Sequence, residues 1–146
     1  MKRIILVLIL AVGIAATAGF TTSERSGALH VIKECSAYDP TTAGSFCTIT
    51  SSSINAITAG MRVVYASAAD LNTGMLDSDL VIDGPGHNAA FGHVVLDLAT
   101  FTGVVTLSGG TGRFSHFHAG PLAVACPAFP VCSWDGAYDF TPPGDD

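Results

Sequence analysis

Hydrophobic and polar residues alternate with a period of two over short runs along most of this chain, which is the period of β-strands rather than helices. The clearest run closes the sequence. Trp134, Gly136, Tyr138 and Phe140 fall on one face, and Asp135, Ala137 and Asp139 on the other. Residues 79–83 behave alike, with Leu80 and Ile82 opposite Asp79, Val81 and Asp83. Between 91 and 98, Val94, Leu96 and Leu98 oppose Phe91, His93, Val95 and Asp97, so apolar residues occupy both faces. One face meets the core and the other a neighbouring surface or a lumen.

Gly, Pro, Asp, Asn and Ser separate these runs, as expected where strands are joined by turns. The pattern predicts strands near 28–35, 46–52, 61–68, 78–83, 89–98, 102–108, 117–126 and 132–140. Thr100-Phe101-Thr102-Gly103 supplies a hairpin turn between the fifth and sixth. Beyond residue 18 no long helical stripe interrupts the pattern. The fold class is therefore all-β, a small closed up-and-down, calycin-like barrel of about eight antiparallel strands. Closure removes the free sheet edges. A β-sandwich is the alternative. An eight-stranded barrel is just wide enough to be filled by side chains or to hold one small ligand.

The N-terminus follows a different rule. Lys2 and Arg3 precede an apolar run from Ile4 to Ala16, and Ala16-Thr17-Ala18 offers a small-residue cleavage site. This is the order of a secretory signal peptide, expected as a helix over residues 1–18 and removed on export. A retained membrane anchor is the competing reading, but the last third of the run is Ala, Gly and Thr rather than Leu or Ile. Residues 19–27 form a flexible lead-in, 28–140 the barrel domain and 141–146 a disordered tail. The membrane then matters only during export, and the predicted location is extracellular.

Removing Lys2 and Arg3 takes the formal net charge from −6 to −8, since four Lys or Arg remain against twelve Asp or Glu. That balance argues against nucleic acid as a partner. Cys35, Cys47, Cys126 and Cys132 allow three disulfide pairings. Pairing nearest neighbours would close two short loops. A zinc site is the rival, but no C-x-x-C pair exists and the histidines lie elsewhere.

Several local clusters invite chemistry. Gly109-Gly110-Thr111-Gly112-Arg113-Phe114 lacks the Lys-Ser/Thr ending of a phosphate-binding loop and the strand–helix context of a dinucleotide site. It reads as a tight turn, with Phe114 plugging the barrel end and Arg113 paired to a carboxylate. His116 and His118, with His93, could form a three-histidine metal site, but no acidic ligand follows them. Asp77, Asp79 and Asp83 share one strand face, which is best explained as solvated. Ser108 is not in a nucleophile elbow. No metal or cofactor is expected. Tyr65, His93, Arg113 and Trp134 combine an apolar body or charged fork with a polar tip, and they are the candidates for an interior ligand site.

With these pieces placed, the chain resembles the bacterial exported proteins of the allene oxide cyclase barrel-like group, relatives in shape of the plant dirigent proteins. The resemblance rests on Phe46-Cys47-Thr48-Ile49-Thr50-Ser51-Ser52, Arg62-Val63-Val64-Tyr65-Ala66, Gly92-His93 and Leu96-Asp97-Leu98-Ala99-Thr100. It extends to Ser108-Gly109-Gly110-Thr111-Gly112-Arg113-Phe114, Phe117-His118-Ala119 and Trp134-Asp135-Gly136-Ala137-Tyr138, and spans about residues 30–140. His116 departs from the group's pattern, to which only His118 belongs. The likeness implies a barrel with an apolar interior and small hydrophobic guests. It also implies that any activity would be that of a cofactor-independent cyclase or isomerase, which works mainly by positioning its substrate. Three readings follow: a barrel that binds a small apolar molecule, a cyclase or isomerase, and a structural or interaction module with a filled barrel.

Overall fold

The computed structural model of the protein describes residues 25–141, so the expected signal peptide, the start of the expected lead-in and the end of the expected tail lie outside the described residues. Eight strands follow one another: β1 (Ser26–Glu34), β2 (Phe46–Ser52), β3 (Arg62–Tyr65), β4 (Met75–Asp83), β5 (Ala89–Asp97), β6 (Thr102–Thr111), β7 (Phe117–Ala128) and β8 (Val131–Phe140). Each pairs antiparallel with the next, and β8 returns to β1, giving a closed barrel. The sandwich alternative is thereby excluded.

Alternation decides what faces inward. Leu29 and Val31 from β1, Ile49 from β2, Val63 from β3, Leu80 and Ile82 from β4, and Trp134 from β8 are all essentially without solvent exposure. They fill the lumen at mid-height. At one end the three-residue 3-10 turn Gly112–Phe114 tucks Phe114 inside. Phe114 meets Phe117 at 5.5 Å between ring centroids, and Phe117 meets Phe140 at 4.9 Å. The expected aromatic plug is present.

Strand ends depart from the sequence pattern for identifiable reasons. β3 stops at Tyr65 rather than 68, because Ser78 Oγ takes the Ser67 N–H at 2.9 Å and bends the chain away. β4 begins at Met75 and not 78, since Met75, Leu76 and Asp77 pair with Asp97, Leu96 and Val95 of β5. β6 runs through Gly109 and Gly110 to Thr111, so only the second half of the glycine-rich motif is a turn. Gly110 is required by close approach: a Cβ there would sit 2.0 Å from the Ala89 carbonyl oxygen.

Cys35 bonds to Cys47 and Cys126 to Cys132, the nearest-neighbour pairing among the three possible. Both bridges lie at the end opposite the plug, where β1 hands over to β2 and β7 to β8. In the chain-entropy model, loops of 12 and 6 residues contribute about 3 and about 2 kcal/mol respectively. Replacing both Cys126 and Cys132 by Ala should therefore lower the urea-unfolding free energy by about 2 kcal/mol. An unchanged unfolding midpoint would show that the bridge leaves the unfolded chain unconstrained.

Candidate functional site

The disulfide-bearing mouth holds the one chemically unusual group of the barrel. On β1 the inward row that begins with Leu29 and Val31 continues to Lys33, which is 4 % exposed. Register fixes this orientation, since Lys33 stands opposite Ile49 on β2 and Cys132 on β8. Apart from Lys2, Lys33 is the chain's sole lysine. A lysine almost never buries its ammonium without a paired charge. Here the side chain runs into the lumen with none beside it among the described residues.

Its partners are aromatic. Nζ donates a hydrogen bond to the Tyr65 hydroxyl. It also lies 4.7 Å from the Trp134 ring centroid and 5.2 Å from that of Tyr65. These cation–π contacts offset part of the desolvation of an ammonium, by about 2 kcal/mol in a dry setting. The rest is unrelieved. Burial pulls the Lys33 amine down to about 7 from an ordinary 10.5. Tyr65, 3 % exposed, has its phenol pushed well above the usual range, first by burial and then by Tyr38. Tyr65 therefore stays protonated while Lys33 exchanges its proton near neutrality.

Lys33 opens on a recess bounded by Cys35, Cys47, Tyr38, Tyr65 and the apolar side chains of Leu76, Leu96, Leu98, Phe101 and Phe129, with Cys126 and Cys132 completing it. Among the described residues no carboxylate lines it. Counted out to its open side, the recess encloses about 320 Å³ of empty space, but only about 20 Å³ admits the centre of a water molecule. That is room for about one water. Tyr38 packs edge-on to Tyr65 at 5.3 Å, and its hydroxyl is buried with no hydrogen-bond partner among the described residues. Trp134 Nε1, deeper in the lumen, likewise has no partner among them. At the lip, Phe101 adopts a positive φ of 54°, a conformation that a bulky residue rarely accepts. Its ring stacks on Phe129 at 5.1 Å.

The four candidates named from sequence do not converge. Tyr65 and Trp134 are buried and flank Lys33. His93 is not an interior residue: it stands on the outer wall of β5, where its Nε2 meets Asp77 at 2.6 Å and its Nδ1 meets Asp79 at 2.9 Å. Those carboxylates raise its pKa, the Asp79 hydrogen bond most strongly. The physical reason is strand phase, because Val94 and Leu96 take the inward positions. Arg113 is exposed beyond the plugged end, at the far side of the barrel from Lys33. Among the described residues it forms no ion pair, and the expected carboxylate partner is not there. Instead its backbone N–H donates to Asn88 Oδ1 at 3.0 Å. His93 and His118 sit on β5 and β7, with β6 between them, and no set of three potential metal ligands converges among the described residues. Lys33 and Tyr38 were absent from the sequence candidates. The inward phase of Leu29 and Val31, carried two residues further, is the pattern that points to Lys33.

No protein-family model, curated protein or solved structure matches the chain, and the site rests on its own chemistry.

The buried amine makes stability depend on pH in a defined direction. Between about 7 and 10.5 the unfolded chain binds a proton on Lys33 that the folded chain does not, so stability rises with pH across that window. Above about 10 the unfolded chain loses a tyrosine proton that folded Tyr65 retains, and stability falls again. His93 acts oppositely near neutrality, its contribution fading as pH passes its raised value, but it is common to wild type and variant. Lys33→Met should stabilise the protein at pH 6 by roughly 1–4 kcal/mol and flatten the rise toward pH 9.5. Urea unfolding at the two pH values checks this, and parallel profiles for both proteins would contradict it.

Proposed function

We propose that the protein is exported and holds one small, mainly apolar molecule at the disulfide-ringed mouth of its barrel. The observation that carries this reading is the uncompensated burial of Lys33 beside a partly open apolar recess. A barrel meant only to be stable gains nothing from that arrangement, since a hydrophobic side chain of similar size would serve better. The polar groups at the recess are Lys33 Nζ and the Tyr38 and Tyr65 hydroxyls, set in an aliphatic and aromatic surround. Pockets that orient small ligands share this make-up, with few polar groups in a mostly apolar wall. Two disulfides suit an oxidising compartment outside the cytoplasm. The closed eight-stranded sheet is the architecture that the resemblance to the allene oxide cyclase barrel-like group implies, and the resemblance itself is part of this proposal. The acidic balance of the chain argues against a nucleic-acid partner.

A cyclase or isomerase of that group has weaker support, because such chemistry needs a cavity that folds its substrate and the mid-height of this lumen is packed. The same packing favours a second reading, a structural or interaction module whose interior is filled.

Trp134 is the chain's single tryptophan and lies under Lys33, so its emission reports on the mouth. Short-chain alcohols, ketones and aldehydes should shift that emission saturably, and native mass spectrometry of protein from its own host should find a small co-purifying molecule. A clean apo mass, with no emission change across the series, would favour the filled module over the binder.

A further inference from the structure

We propose that Lys33 is a covalent attachment point for small aldehydes or ketones, which it holds as an imine at the barrel mouth. The proposal rests on the reading of the mouth as a ligand site and names the chemical class of the ligand. Three features of the geometry support it. Nζ is fixed at the inner end of a recess rather than waving in solvent. No carboxylate among the described residues lines that recess, so none of them holds the nitrogen as an ammonium, and a desolvated amine with a depressed pKa keeps the lone pair that nucleophilic attack requires. The enclosed part of the recess has room for about one water. A carbonyl group that reaches Nζ displaces it while its alkyl chain lies toward the open, apolar side, and little water is left to hydrolyse the imine.

The net charge of the chain, −6 as a whole, disfavours the approach of anionic guests and leaves neutral carbonyl compounds unaffected. The bonding change balances without any redox partner. The Nζ lone pair forms a bond to the carbonyl carbon while the C=O π pair moves to oxygen. A proton then passes from nitrogen to that oxygen to give a carbinolamine. Loss of the hydroxyl as water, with a proton delivered to it, leaves the C=N bond. Tyr65, within hydrogen-bond reach of Nζ and protonated at all ordinary pH values, is placed to deliver that proton and to regain one from the nitrogen. The products are one imine and one water.

The test uses the purified protein, propanal as probe and cyanoborohydride to reduce any imine irreversibly. Peptide mapping then separates Lys33 from the α-amino group and from Lys2 where it is retained. At pH 7 the folded protein should gain one propyl group on Lys33, roughly tenfold or more faster than the same chain in urea, where the amine is almost wholly protonated. Lys33→Met should gain none there, and Tyr65→Phe should react roughly tenfold or more slowly if the phenol supplies the proton. Both rates are read under conditions where each protein is fully folded, which separates proton delivery from structural damage. Propan-1-ol, which cannot form an imine, serves as the comparison ligand. If it shifts Trp134 emission while propanal leaves Lys33 unlabelled, covalent attachment is overturned and the binding reading stands. Both ideas fall if neither compound perturbs the folded protein. Equal labelling rates in folded and unfolded chains would also overturn the proposal, because the site would then add nothing to an ordinary lysine.

Discussion

The pairing of β1 with β8 is the constraint from which the rest of the molecule follows. It runs from Ser26 opposite Asp139 to Glu34 opposite Val131 and turns a meander into a barrel. In an open sheet, the inward row of β1 could face solvent at its edge, and a lysine there would remain hydrated. Closure removes that option. Leu29 and Val31 can be buried only if Lys33, two residues on, is carried inside with them.

The barrel sorts its charges accordingly. Acidic groups sit outside, where they pair with one another's neighbours: Asp77 and Asp79 hold His93, and Asp135 meets His30. Among the described residues the lumen receives one basic group and no acidic one. Trp134 and Tyr65 lend their π-faces and a hydroxyl to Nζ, which is enough to position the amine but not enough to keep it charged above neutral pH. Two disulfides brace the rim around it. One end of the barrel is thus a packed aromatic plug, and the other is a disulfide-braced rim around a buried amine.

Much of the fold was legible because most strands have one unambiguous wet face. Trp134, Tyr138 and Phe140 against Asp135 and Asp139 leave only one phase for β8, and Leu80 and Ile82 do the same for β4. Legibility failed where a strand was apolar on both sides or lacked side chains. β5 carries Phe91 and Val95 outward, both more than 40 % exposed, so His93 between them resembled a lumen residue. Gly109 and Gly110 resembled a turn although β6 continues through them, because close approach to β5 demands glycine as strongly as a bend does. The site was hidden for a different reason. A lysine in an alternating strand is ordinarily read as the wet face, and only the phase set by Leu29 and Val31 contradicts that habit.

With lysine confined to positions 2 and 33, the Lys33 amine is directly observable. Its ε-methylene resonances, followed by ¹³C NMR as pH is raised, report the protonation of Nζ alone. A titration midpoint near 7 is expected in the folded protein, moving to the ordinary value near 10.5 when urea unfolds it. A folded-state midpoint already near 10.5 would mean that the amine reaches water or an unseen counter-charge, and it would contradict the dry, unpaired lysine on which the site depends.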